Sequence, residues 1–107
     1  MTPARGALWT FDQVRDLAEL AGLPDPSLAA AIAMAESGGD PKIIGDSGTS
    51  YGLWQIHAPD HPEFDPVRLL DPQYNAAAAR FISKNGTDWS PWTTYRTGAY
   101  RKFLETA

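Results

Sequence analysis

The chain has no cysteine among its 107 residues. Disulfide staples and thiolate metal sites are therefore excluded, and stability is left to packing alone. A small secreted scaffold usually leans on a disulfide framework, so the absence also argues against that class. Positive charge is scarce: nine Lys and Arg stand against thirteen Asp and Glu, a net charge of −4. No cluster of Lys and Arg forms a basic stripe, which argues against nucleic acid as a partner. The same acidity gives no electrostatic steering toward an anionic polymer, so a chain acting on one is expected to be tethered or delivered to it. Long apolar runs are missing as well. LAAAIAMA, Leu28 to Ala35, ends in small residues as a signal-peptidase site does. It follows Asp12, Asp16, Glu19 and Asp25 where a signal would be basic, and it is far too short to cross a membrane. It reads as a core helix. Repeats and low-complexity linkers are absent too.

What is present is a globular composition. Hydrophobic residues make up 43% of the chain, with four each of Trp, Tyr and Phe, enough for one modest core and one domain over residues 1–107. Thr10 with Gln13 forms a capping box, and Phe11, Val14, Leu17, Ala18 and Ala21 follow at helical spacing until Gly22 and Pro24. Asp25-Pro26 opens a second helix, expected to reach Ser37 and stop at Gly38-Gly39. Between Lys42 and Ile56, a Gly/Ser/Asp-rich turn separates Ile43-Ile44 from YGLWQI, which predicts two short strands around a polar loop. In that register Trp54 shares a face with Gly52 and Ile56, while Tyr51, Leu53 and Gln55 take the other. Pro59, Pro62 and Pro66 mark an irregular segment. Asp71-Pro72 starts a third helix with Tyr74, Ala77, Ala78, Phe81 and Ile82 on one face, closed by Asn85-Gly86. Ser90-Pro91 is expected to cap a last segment carrying Trp92, Tyr95, Ala99 and Phe103, broken at Gly98. The fold class expected is α+β, mostly α, with a small β-hairpin between helical segments.

One carboxylate stands out. Leu28, Ile32 and Glu36 are spaced four apart and lie on one helical stripe, flanked by alanines and without a cationic neighbour in the helix. Glu36 thus falls at the helix C-terminus, on or beside the inward face. Desolvation and the negative end of the helix dipole both disfavour its charged form. A raised carboxyl pKa is what a general acid working near neutral pH needs.

Glu36-Ser37 followed by Tyr51-Gly52-Leu53-Trp54-Gln55-Ile56 resembles the lysozyme-like superfamily of peptidoglycan-cleaving enzymes. The pairing is similar to the ES…GLMQ of soluble lytic transglycosylases and to the ES…STDYGIFQI of animal-type lysozymes. Thr94-Tyr95-Arg96-Thr97-Gly98 is similar to the AYNAG segment of the transglycosylases. The resemblance covers roughly Ala29 to Gly98. It implies a lysozyme-like fold, Glu36 as the acid that protonates the glycosidic oxygen, Ser37 as its polar companion, and Gln55 and Tyr95 near the acid or the sugar.

Ser50 departs from the pattern. Animal-type lysozymes carry an aspartate before Tyr-Gly, and a serine cannot form the glycosyl ester or supply negative charge there. The nearest other carboxylate is Asp46, whose Gly45-Asp46 setting resembles the GD of goose-type lysozymes. His57 stands where those enzymes have a further aspartate. Three mechanisms follow from the resemblance: inverting hydrolysis with Asp46 holding a water, lytic transglycosylation with Glu36 acting alone, or a wall-binding module in which Ser47 and Ser50 only position sugar. Asp46 also reads as a turn residue bracing Gly48.

Substrate contacts are expected from Ser37, Ser50, Tyr51, Gln55, His57 and Tyr95. One or two of Trp54, Trp89, Trp92 and Tyr95 could stack on sugar, with Trp54 assigned to the core. His57, Asp60 and His61 form HAPDH, but the prolines keep the histidines off one helical face, so loop histidines are favoured over a metal site. No serine sits in a G-x-S-x-G elbow, which argues against a Ser-His-Asp hydrolase. The resemblance implies no cofactor, and peptidoglycan strands, with chitin as the related alternative. The lack of a signal segment, the acidic balance and the small size lead to the expectation of a monomer or a module of a larger phage or wall-associated protein, acting on the bacterial wall as a phage lysin, a virion or tail component, or an excised domain of an exported enzyme.

Overall fold

The computed structural model describes residues 7–105. Helix α1 spans Phe11–Leu20 and α2 spans Pro26–Ser37. Three two-residue strands follow: β1, Ile44–Gly45; β2, Ser50–Tyr51; β3, Ile56–His57. Two 3₁₀ turns, Ala58–Asp60 and Arg68–Leu70, lead to α3, Pro72–Ile82. The chain then closes through α4, Thr93–Thr97, and α5, Arg101–Glu105. This is the mostly helical α+β class expected.

The helix starts follow local chemistry. Thr10 and Gln13 complete a reciprocal capping box, and the Asp25 and Asp71 side chains accept from the backbone amides of Leu28 and Tyr74. Each thereby satisfies an amide that the first turn of a helix leaves without a partner. Helix α2 is the centre of the molecule. Ala29 through Ala33 are all 0% exposed, so this helix is covered around its whole circumference. Alanine permits that, because its small side chain lets neighbouring elements approach closely. Helices α1, α4 and α5 all pack on α2.

The β region is a three-stranded antiparallel sheet in the order β1-β2-β3, one strand more than the hairpin expected. YGLWQI is not one strand. Tyr51 ends β2, Ile56 begins β3, and Gly52 to Gln55 turn between them, with positive φ at Gly52 (80°) and Gln55 (47°). The expected alternation of faces fails for that reason: Leu53, Trp54 and Ile56 are all buried. A Cβ on Gly52 would collide with the Asn75 amide and the Leu69 carbonyl, so only glycine fits there.

Asn75 is the polar node under this turn. It is fully buried, its Oδ1 accepts from the Trp54 amide at 2.9 Å, and its Nδ2 donates to the carbonyls of Tyr51 and Leu69, both at 2.8 Å. The buried face of α3 is Asn75, Ala76, Ala78 and Ala79, rotated from the face expected; Ala77 and Phe81 are exposed. Apolar spacing missed the face because its central residue is an asparagine. The last segment also starts later than expected. Trp92, not Ser90, is the N-cap of α4, and Gly98 separates α4 from α5.

Candidate active site

Glu36 occupies the last turn of α2, one turn beyond fully buried Ile32. Helix α4 packs against that end and brings Thr94 Oγ1 to 2.8 Å from Glu36 Oε2, where the hydroxyl donates to the carboxylate. Burial pushes the Glu36 carboxyl above the usual carboxylate range. Hydrogen bonding from Thr94 opposes this, and the charge of Asp46 reinforces it. The direction is the one a proton donor needs.

A cleft of about 280 Å³ opens in front of Glu36. Asp46, Ser50, Gln55 and His57 line it with Glu36, so the fold gathers these expected residues around one space. Asp46 sits at the tip between β1 and β2. Its Oδ2 accepts a 2.7 Å hydrogen bond from Ser50 Oγ, while the Gly48 amide is taken by the Gly45 carbonyl. The side chain of Asp46 therefore serves Ser50 and does not brace Gly48. Gln55 Nε2 donates to the carbonyls of Ile43 (3.1 Å) and Gly52 (3.0 Å), so its amide ties the turn to the sheet edge. Gly45 leaves room for that side chain, since a Cβ there would collide with Gln55 Oε1. His57 Nδ1 lies 3.0 Å from Asp60 Oδ2. Among the described residues no group of three His, Asp or Glu is placed to hold a metal ion.

Three expected contacts fall outside the cleft. Ser37 is buried; its hydroxyl donates to the Ala33 carbonyl at 2.9 Å and accepts from the Gly39 amide at 3.2 Å, finishing the helix. Tyr51 donates its hydroxyl to the Gly48 carbonyl. Tyr95 stacks on Tyr100 at a centroid distance of 5.3 Å. Trp54 is core, as expected, with its Nε1 donating to the Ala29 carbonyl at 3.1 Å. Trp92 lines the cleft while its Nε1 donates to the Trp54 carbonyl at 2.8 Å, and Trp89 packs behind it.

Thr94 is a partner of Glu36 that sequence reasoning did not single out. It heads the TYRTG segment, but a threonine in a polar helix start carries no signal of its partner 58 residues away. Asp60 and Thr93 also line the cleft and were not singled out as contacts. A larger concavity, about 560 Å³, lies between α1 and α3, lined by Leu17, Leu20, Ala77 and Phe81 among others. Among the described residues no carboxylate lines it, whereas Glu36, Asp46 and Asp60 line the smaller cleft.

A glutamate with a raised pKa and a second carboxylate lining the same polar cleft beside a small sheet are groups that glycoside cleavage can use. The family model for the lysozyme-like domain matches residues 15–94, most of the chain, and the chain belongs to that family. Membership points to a peptidoglycan-related function of the glycosidase type. No match was found among curated proteins or among solved structures.

Proposed function

We propose that this domain is a muramidase that cleaves the β-1,4 bond between N-acetylmuramic acid and N-acetylglucosamine. The observation that carries this reading is the meeting of Glu36 and Asp46 in one cleft, with burial and the Asp46 charge both raising the Glu36 pKa. Protonated Glu36 donates to the glycosidic oxygen as the bond to C1 breaks. A water held by Asp46 adds to C1 from the opposite face and gives its proton to Asp46. The products are a reducing sugar of inverted configuration and a free hydroxyl on the leaving sugar. The two carboxyl groups exchange their protons with solvent before the next turnover. Ser50 offers no carboxylate for the glycosyl ester of a retaining enzyme, and its hydroxyl donates to Asp46.

A second reading has Glu36 work alone, first as acid and then as base, while the substrate's own hydroxyl closes an anhydro ring. The Thr94 hydrogen bond favours it, since that donor steadies the ionised form a base requires. In either case the acidic chain is expected to be delivered, as a phage lysin or as a module of a virion or wall-associated protein. Glu36→Gln should lower turnover of purified wall fragments roughly 10²–10⁴-fold, the range of a lost general acid. Unchanged turnover would sink the assignment, and a parent that binds wall without cleaving it is a binding module. Mass spectrometry of the products separates the two mechanisms: reducing ends mean that water attacked, anhydro ends mean the sugar hydroxyl did. Chitin oligosaccharides assayed in parallel test the substrate.

A further inference from the structure

We propose that Ser50 is a positioning residue that fixes Asp46 for its water, an inference that rests on the inverting muramidase reading. Ser50 lies on β2, only 1% exposed, paired with Gly45 on one side and His57 on the other. A hydroxyl held this way has little freedom, and among the described residues its side-chain partner is Asp46 Oδ2 at 2.7 Å. Asp46 is the opposite kind of residue: exposed, at a loop tip, and free to change rotamer without a fixed donor.

The backbone around it is held in a sparsely populated conformation. Asp46 (φ 51°), Ser47 (φ 59°) and Gly48 (φ 94°) are three successive left-handed residues, and two of them are not glycine. Such geometry persists only where the surroundings over-determine it, and it concentrates at functional sites. Here Thr49 Oγ1 donates to the Asp46 carbonyl at 2.7 Å, the Gly48 and Thr49 amides both donate to the Gly45 carbonyl at 3.0 Å, and the Tyr51 hydroxyl donates to the Gly48 carbonyl at 3.1 Å. All of these fix where the Asp46 backbone stands. Among the described residues, Ser50 is the side chain that fixes where its carboxylate points.

With Oδ2 occupied, Oδ1 is the oxygen left to hold the attacking water and accept its proton. Ser50 thus acts through Asp46 and not on the sugar. An aspartate at position 50 would face Asp46 as a like charge at hydrogen-bond distance, so the two carboxylates exclude each other. A short neutral donor at 50 is the counterpart of a carboxylate at 46.

A double-mutant cycle on turnover of wall fragments tests this. Ser50→Ala is expected to lower kcat roughly tenfold to a hundredfold, the worth of a hydrogen bond to a charged group, with KM unchanged. Asp46→Asn lowers kcat, and Ser50→Ala added to it lowers it no further. Additive losses, full activity of either single variant, or an effect on KM alone would overturn the proposal. Should Ser50→Ala fail to fold, Ser50→Cys, similar in shape but a weak donor, replaces it with the same expected outcome. Glu36→Gln is assayed alongside. Retained turnover there removes the muramidase reading itself, whereas loss there with an additive cycle removes only the role of Ser50.

Discussion

Glu36 shows what a single residue costs a fold that uses it. Burial at the end of α2 disfavours its ionised form, so its pKa is higher in the folded chain than in the unfolded one. The folded state then binds the proton more tightly, and stability falls as pH rises from the ordinary carboxylate range through the raised pKa. Glu36→Gln removes that loss. The variant should melt above the parent at neutral pH, and the difference should vanish in acid below the ordinary carboxylate range. Thermal melts across pH check it; equal curves at neutral pH would show that Thr94 offsets the burial. The sequence made Glu36 legible because helical spacing places it above Ile32. The partners of Ser37, its neighbour, were not legible in the same way. A serine in the last turn of a helix readily bonds back to the carbonyl four residues earlier, and here it does so with Ala33.

At the scale of elements, caps and stops were readable because they are chemistry between residues close in sequence. Thr10, Asp25 and Asp71 each bond an amide three residues ahead. The YGLWQI turn was not readable. Its course depends on Asn75, more than twenty positions away, which takes up the Trp54 amide and the Tyr51 carbonyl in the interior. Asn75→Ala would leave buried backbone groups without partners, and each such group costs about 1–3 kcal/mol. A loss of roughly 3 kcal/mol in denaturant unfolding is expected, with β2, β3 and the cleft losing order together. A loss below about 1 kcal/mol would mean that water replaces the amide without penalty.

At the scale of the whole molecule, charge and purpose pull in opposite directions. The chain carries −4, and the cleft lining includes Glu36, Asp46 and Asp60 but no Lys or Arg. Anionic wall strands are therefore repelled at long range. Raising ionic strength from about 10 mM to about 150 mM shortens the screening length from about 30 Å to about 8 Å. Lysis of intact walls by the free domain should rise over that range, while cleavage of a short uncharged oligosaccharide should not. A fall in wall lysis would point to an attractive contact that the net charge conceals. Among the described residues no helix is long and apolar enough to cross a membrane.

By itself the sequence determined where the first three helices start, the mostly helical class, the family and the place of Glu36 at the end of α2. Those follow from spacing, capping and a short ordered motif, all properties of residues near one another along the chain. Only the tertiary structure decided that Thr94 meets Glu36, that Asn75 holds the turn, and that Ser50 donates to Asp46 while Ser37 bonds back to Ala33 and Tyr95 stacks on Tyr100. Each of these is a contact whose energy depends on burial and on a partner's orientation, and neither exists until the chain has folded.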